Sequence, residues 1–165
     1  MEKQGLCKVW VATKAFVCHE GRVLVVRESS AYRDGTNTGA FDIVGGRMEP
    51  GEHFRDSLLR EIKEETGIDV QIGRPFFVNE WRPTVRGELW QIVVTFFVAY
   101  APSDRVVLSG DHDDYKWIEP HHYKNEGIIG NLFPAFEAYL SLEASWQTLQ
   151  PLRETTASVA EPVLD

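Results

Sequence analysis

Glu61, Glu64 and Glu65 stand together in the segment LLREIKEETGI, Leu58 to Ile68, of a chain that already carries a net charge of −8. On a helix, residues three and four apart are neighbours, so Glu61 faces both Glu64 and Glu65. Each like-charge pair of this kind costs roughly 0.2–0.5 kcal/mol. Two readings compete: a solvated face that tolerates the repulsion, or a seat for a cation. Hard carboxylate oxygens grouped in this way suit Mg²⁺, which takes a few carboxylates together with substrate phosphates and water. Immediately upstream, GGRMEPGE brings glycine-rich backbone and a further carboxylate, Glu52, to the start of the same segment. Arg60 is of the right type to pair with Glu52 or Glu61 and fix their orientation.

Taken as one unit, GRMEPGEHFRDSLLREIKEETGI runs from Gly46 through five residues to Glu52, then through seven residues to Arg60-Glu61-Ile62-Lys63-Glu64-Glu65-Thr66-Gly67-Ile68. At every defined position this resembles the signature of the Nudix hydrolases, the Nudix box. The resemblance is specific over the box and extends more weakly over Val9 to about Pro120. It implies a loop-helix-loop that binds divalent metal, Mg²⁺ with Mn²⁺ as an alternative, and cleaves a diphosphate bond linked to a nucleoside. By the same resemblance Glu61 and Glu65 are the main metal ligands, Glu64 shares metal or base duties, and the Gly45 carbonyl is a further ligand. Arg60 and Glu52 are the supporting pair, with Gly46 and Gly67 as framework glycines. Many relatives carry one more carboxylate shortly before a late Trp-containing strand. In GDHDDYKWI, Asp111 matches that place best, with Asp113 and Asp114 as alternatives. Many relatives also have Pro before the glycine pair, where this chain has Val44.

Substrate is set outside the box, where the sequence is less specific. Arg27, Tyr32, Arg33 and Asp34 precede the glycine pair in or beside a Gly/Asn-rich segment and are candidates for contacting a nucleoside or phosphate. Trp81, Trp90 and Phe41 are candidates for stacking on a base, although any of them could equally be core packing. Some ADP-ribose-hydrolysing relatives carry a Pro near the place of Trp81-Arg82-Pro83, whereas the long N-terminal extension that many of those enzymes use for dimerisation is not seen.

The elements that must position these groups follow from hydrophobic periodicity. Val9–Val17 and Val23–Val26 flank HEG as a hairpin, with Gly21 available for positive φ. Ser29–Ala40 reads as a loop, and FDIVGG as a short strand ending in the glycine pair. From about Glu52 to Thr66 the pattern is helical, with Phe54, Leu58 and Ile62 as an apolar stripe and Gly67 where helices commonly stop. IDVQIG and RPFFVNEW read as two short strands parted by Gly73. GELWQIVVTFFVAY is the strongest strand. APSDRVVLSGDHDD reads as a loop with room for a short strand, YKWIEP as a strand, and Asn131 to about Leu142 as a second helix. Strands mixed with two helices imply an α/β class, and the resemblance implies a Nudix-type α/β/α sandwich on a mixed sheet in a single domain. That domain is assigned to residues 1–145, with 146–165 as a loosely held tail.

Composition narrows the classes. With 43% hydrophobic and 25% charged residues the chain is globular in type. The excess of 25 Asp+Glu over 17 Lys+Arg argues against binding nucleic acid polymer or anionic membrane. No stretch approaches the ~20 apolar residues of a membrane span, and nothing resembles a signal peptide. Cys7 and Cys18 lack metal-ligand spacing and read as reduced thiols of a cytoplasmic protein. The partner is therefore a small nucleotide, and dimers being common among relatives, a homodimer is compatible with the resemblance. The leading function is Mg²⁺-dependent hydrolysis of a nucleoside diphosphate linked to another moiety, of the ADP-ribose or nucleotide-sugar type. The alternatives are a nucleoside triphosphate pyrophosphatase, oxidised nucleotides included, and a non-catalytic nucleotide-sensing module.

Overall fold

The computed structural model describes residues 7–32, 35 and 37–149. Strand β1 (Lys8–His19) turns through Glu20 and Gly21, at φ 49° and 76°, into β2 (Arg22–Glu28). Positive φ at both turn residues matches the twist of an antiparallel pair, so the expected hairpin forms. After the loop come β3 (Phe41–Asp42) and β4 (Val44–Arg47), then helix α1 (Phe54–Thr66). β5 (Gln71–Trp81), β6 (Thr84–Val85) and β7 (Glu88–Tyr100) follow, then β8 (His112–Ile118), two short 3₁₀ turns (Pro120–Asn125 and Gly130–Leu132) and α2 (Phe133–Leu149).

β1 is the axis of the sheet. It pairs parallel with β7 from Lys8 opposite Trp90 to Cys18 opposite Tyr100, and antiparallel with β4 from Ala12 opposite Arg47 to Ala15 opposite Val44. The mixed sheet runs β3-β2-β1-β7-β5, with β8 on β2. A parallel β1–β7 pair needs a long crossover, and the chain between them supplies it with β2 to β6 and α1.

Side chains of β1 alternate between two cores. Phe16, with Val94, Phe96 and Val98, packs against Leu132 of the second 3₁₀ turn and Phe136 and Tyr139 of α2. Ala15 and Val17, with Phe97, pack against Leu58 and Ile62 of α1. Helices thus cover both faces, the expected α/β/α arrangement. Leu58 and Ile62 are fully buried, and truncating either to Ala removes about 2–5 kcal/mol.

Several local expectations are corrected. Phe54 is 50% exposed because it opens the helix ahead of the packed turns, and the buried face is Ser57, Leu58, Ile62 and Thr66. Gly73 does not divide two strands: β5 is continuous, with register shifts around Pro75. Proline lacks the N–H for a ladder bond, and an edge strand tolerates that loss through a bulge. Between Ala101 and Asp111 no strand forms among the described residues, and β8 begins earlier than expected, at His112. α2 runs from Phe133 to Leu149, past the expected end near Leu142, and residues 150–165 of the assigned tail lie outside the described residues. Cys7 and Cys18 are both free. No helix among the described residues is long and apolar enough to cross a membrane.

Candidate active site

Two glycines bring α1 onto the sheet. Gly45 has φ +124°, and a Cβ there would lie 2.3 Å from the Thr13 carbonyl oxygen, so β4 can pass β1 this closely only with glycine. Its N–H donates to Glu65 Oε2 at 3.0 Å. A Cβ on Gly46 would lie 2.7 Å from the Glu61 carboxyl carbon, so that position holds the space that the Glu61 carboxylate fills. Helix periodicity sets Glu61 and Glu65 one turn apart on the face that meets this strand. At the other end, Gly67 caps α1 in the left-handed conformation, φ 69°, its N–H reaching the Lys63 carbonyl at 2.9 Å.

Arg60 organises the remaining carboxylates. Its Nε and Nη2 donate to Glu52 Oε1 and Oε2 at 2.7 and 3.0 Å, a bidentate pair. Nη1 donates to Glu61 Oε1 at 2.8 Å and to Glu64 Oε2 at 3.2 Å. Beside Arg60, and with the Glu49 N–H donating to it, the Glu52 carboxyl is pulled down to about 2. Glu61 and Glu65 move the other way. Burial raises both, against the opposing pull of Arg60 on Glu61 and of Lys14 and the Gly45 N–H on Glu65. Glu65 is pushed up to about 8, with Glu61 and Asp42 adding to the rise. An enclosed carboxylate so short of compensating charge is a place where a cation gains by binding.

Lys14, absent from the candidates above, sits under this group. It is 8% exposed, and its Nζ contacts Asp42 Oδ2 and the Ile43 carbonyl, each at 2.9 Å. A lysine inside the apolar run Val9–Val17 was the sequence signal for it: a cation in a central strand needs a partner or a purpose. The 109–112 turn also closes on α1. Ser109 N–H donates to the Glu65 carbonyl at 3.1 Å, and Ser29 N–H to the Asp111 carbonyl at 2.9 Å. His112 lies near Lys14, Asp42 and Asp111, and burial lowers its pKa. Ser109 Oγ and His112 Nδ1 are buried without a hydrogen-bond partner among the described residues.

These groups line one open cleft of about 540 Å³. Glu61, Glu64, Glu65, Arg60, Gly45, Gly46 and Asp111 are all in its wall. Asp113 and Asp114 are not; both ion-pair with Arg27, at 2.6 and 3.4 Å. Of the substrate candidates, Tyr32, Trp81 and Trp90 line the cleft. Arg27 and Phe41 are not brought there. Phe41 is buried in the α2-side core, with Arg27 and Lys116 over its ring. Arg33 and Asp34 lie outside the described residues. Trp10 and Arg47, unforeseen, join Trp90 in the cleft wall. The two indole centroids are 5.1 Å apart, and the Arg47 guanidinium is 5.0 Å from one and 4.8 Å from the other.

Among the described residues no three His, Cys, Asp or Glu side chains converge closely enough to enclose a metal by themselves. Arg60 holds Glu64, and the Gly45 N–H holds Glu65. Mg²⁺ does not require such a cage. One or two carboxylates, completed by substrate phosphates and water, suffice, and the Glu61–Glu65 pair fits that chemistry.

A NUDIX domain model matches residues 9–136. The CTP pyrophosphohydrolase of Escherichia coli (strain K12) is 24% identical over 132 residues, covering 79% of this chain and 91% of that protein. The nucleoside triphosphatase NudI of Klebsiella pneumoniae (strain 342) is 29% identical over 114 residues, covering 65% of this chain and 79% of that one. The crystal structure of the MutT protein from Methanosarcina mazei Go1 has a TM-score of 0.74 at 26% identity, covering 83% of this chain and 96% of that one. The chain belongs to the Nudix hydrolase family, as an enzyme that hydrolyses pyrophosphate bonds.

Proposed function

We propose that the protein is a Mg²⁺-dependent nucleoside triphosphate pyrophosphohydrolase, releasing a nucleoside monophosphate and pyrophosphate. The observation that carries this reading is the cleft itself, which joins a carboxylate wall to an aromatic wall in which Trp81 is the indole that Arg47 does not cover. A polyphosphate belongs at the first and a base at the second. The triphosphate form is favoured by the relatives, since the chain spans most of the length of a CTP pyrophosphohydrolase and a nucleoside triphosphatase.

Glu61 and Glu65 would hold the metal, with Glu64 and the Gly45 carbonyl as further oxygens. Bound there, Mg²⁺ lowers the pKa of water and neutralises charge developing on the phosphates. Arg60 keeps Glu61 and Glu52 in fixed orientation, and Lys14 offsets the negative charge enclosed around Glu65. In the reaction a water oxygen bonds to one phosphorus and the bridging P–O bond breaks. The bonding pair leaves on the bridging oxygen, and the water proton passes to a carboxylate. Among the carboxylates of the cleft, we assign that role to Glu64, with its side chain 60% exposed, or to Asp111, on its own turn.

A second reading, hydrolysis of a nucleoside diphosphate linked to another moiety, is favoured by Pro83 standing beside Trp81 in the cleft wall. A panel of nucleoside triphosphates, ADP-ribose and nucleotide sugars, assayed with Mg²⁺ for phosphate and nucleoside monophosphate release, separates the two. Preferential turnover of triphosphates to monophosphate and pyrophosphate is the expected result. Turnover confined to ADP-ribose or nucleotide sugars overturns it.

A further inference from the structure

The lysine and arginine side chains that line the cleft are Lys14, Arg47 and Arg60. Lys14 is engaged by Asp42 and the Ile43 carbonyl, and Arg60 by Glu52, Glu61 and Glu64. Arg47 has no hydrogen-bond acceptor or carboxylate among the described residues. It is half-buried and held by π contact with Trp10 and Trp90. A guanidinium fixed in this way keeps its in-plane N–H groups available, which is the geometry for bidentate binding of a phosphate. Its position is set by the strand. Arg47 pairs with Ala12 and Gly45 with Lys14, so Arg47 stands two residues, about 6.6 Å, along β4 from the Gly45–Glu65 contact.

The geometry points to Arg47 as a phosphate-binding, specificity-determining residue of the substrate cleft, aligned by Trp10 and Trp90. It takes a phosphate of the chain at a fixed step from the carboxylates, so it favours a substrate whose phosphate chain spans that step. The inference rests on the triphosphate reading above. In a cleft with this many carboxylates, a polyanion meets one cation free to receive it among the described residues, and that cation is Arg47. The aromatic pair does more than pack: a lysine keeps the charge but lacks the planar fork that the indoles orient.

The test compares wild type with Arg47→Gln, Arg47→Lys and Trp90→Leu. It measures inorganic tripolyphosphate binding by calorimetry with Mg²⁺, and KM and kcat on whichever nucleoside triphosphate the wild type turns over. Arg47→Gln is expected to weaken tripolyphosphate at least tenfold and raise KM by a similar factor, with kcat changed much less. Arg47→Lys and Trp90→Leu should fall between. An Arg47→Gln protein that binds tripolyphosphate like wild type overturns the assignment, including the case in which KM alone rises, since Arg47 then reads the base or sugar. If wild type hydrolyses no nucleoside triphosphate, the functional reading has failed instead, and tripolyphosphate binding still decides the role of Arg47. Circular dichroism of each variant separates misfolding from lost binding.

Discussion

Replacing Glu65 by Gln removes one charge from the most enclosed carboxylate of the site and keeps an oxygen to accept the Gly45 N–H. In the native protein the Glu65 carboxyl is pushed up to about 8, mainly by burial, against an ordinary value of 4.5. Below pH 4.5 it is protonated whether the chain is folded or not, so it has no differential effect there. Between pH 4.5 and 8 the native state binds the extra proton, so stability falls as pH rises, and above pH 8 the full penalty is present. At about 1.36 kcal/mol per unit the whole shift would approach ~5 kcal/mol. Glu65 keeps some solvent contact, which screens part of this, so about 2 kcal/mol is the reasoned figure. In EDTA at pH 8.5, Glu65→Gln should therefore melt about 4–8 °C above wild type, and at pH 4.5 the difference should shrink towards zero. With Mg²⁺ at ten times its dissociation constant, wild type gains about 1.4 kcal/mol by mass action, and the variant gains much less. Turnover with Mg²⁺ should drop by orders of magnitude. Thermal melts at the two pH values, with and without Mg²⁺, make the measurement. A variant that melts below wild type in EDTA at pH 8.5, or by the same margin at both pH values, refutes the charge argument. Near wild-type turnover refutes the ligand assignment.

Four further outcomes follow from the geometry. Gly45→Ala forces a Cβ against the Thr13 carbonyl at positive φ and should destabilise by about 3 kcal/mol or more in chemical denaturation. At Gly46 the nearest atoms to an added Cβ belong to the movable end of Glu61, so Gly46→Ala should unfold near wild type yet lose Mg²⁺ binding in calorimetry. Asp111→Asn should cut kcat at least tenfold, whereas Asp113→Asn, at the Arg27 pair outside the cleft, should stay within a factor of two in the same assay. Burial pushes the Cys18 thiol up to about 11, leaving roughly one thiolate in a thousand at pH 8. Iodoacetamide at that pH should spare Cys18 in the folded protein, as peptide mass spectrometry would show, and label it once the chain is denatured.

What the sequence determined by itself was local. The Glu61–Glu65 spacing, the glycine pair and the Gly67 cap are short-range patterns, and so are the hairpin at Glu20-Gly21 and the burial of Leu58 and Ile62. Helix and strand periodicity expose such features directly. Tertiary structure decided the rest because it depended on which strands became neighbours. The parallel pairing of β1 with β7 joins residues some eighty positions apart, and nothing local encodes it. That pairing brings Trp10 to Trp90, and the β1–β4 pairing sets Arg47 over both and Lys14 beside Gly45. Phe41 and Arg27 show the reverse case: a ring and a charge suited to a substrate were drawn into the core and into a surface ion pair by β2, β3 and β8. Residue type gave the chemistry that was available, and strand register decided which groups could reach the same phosphate.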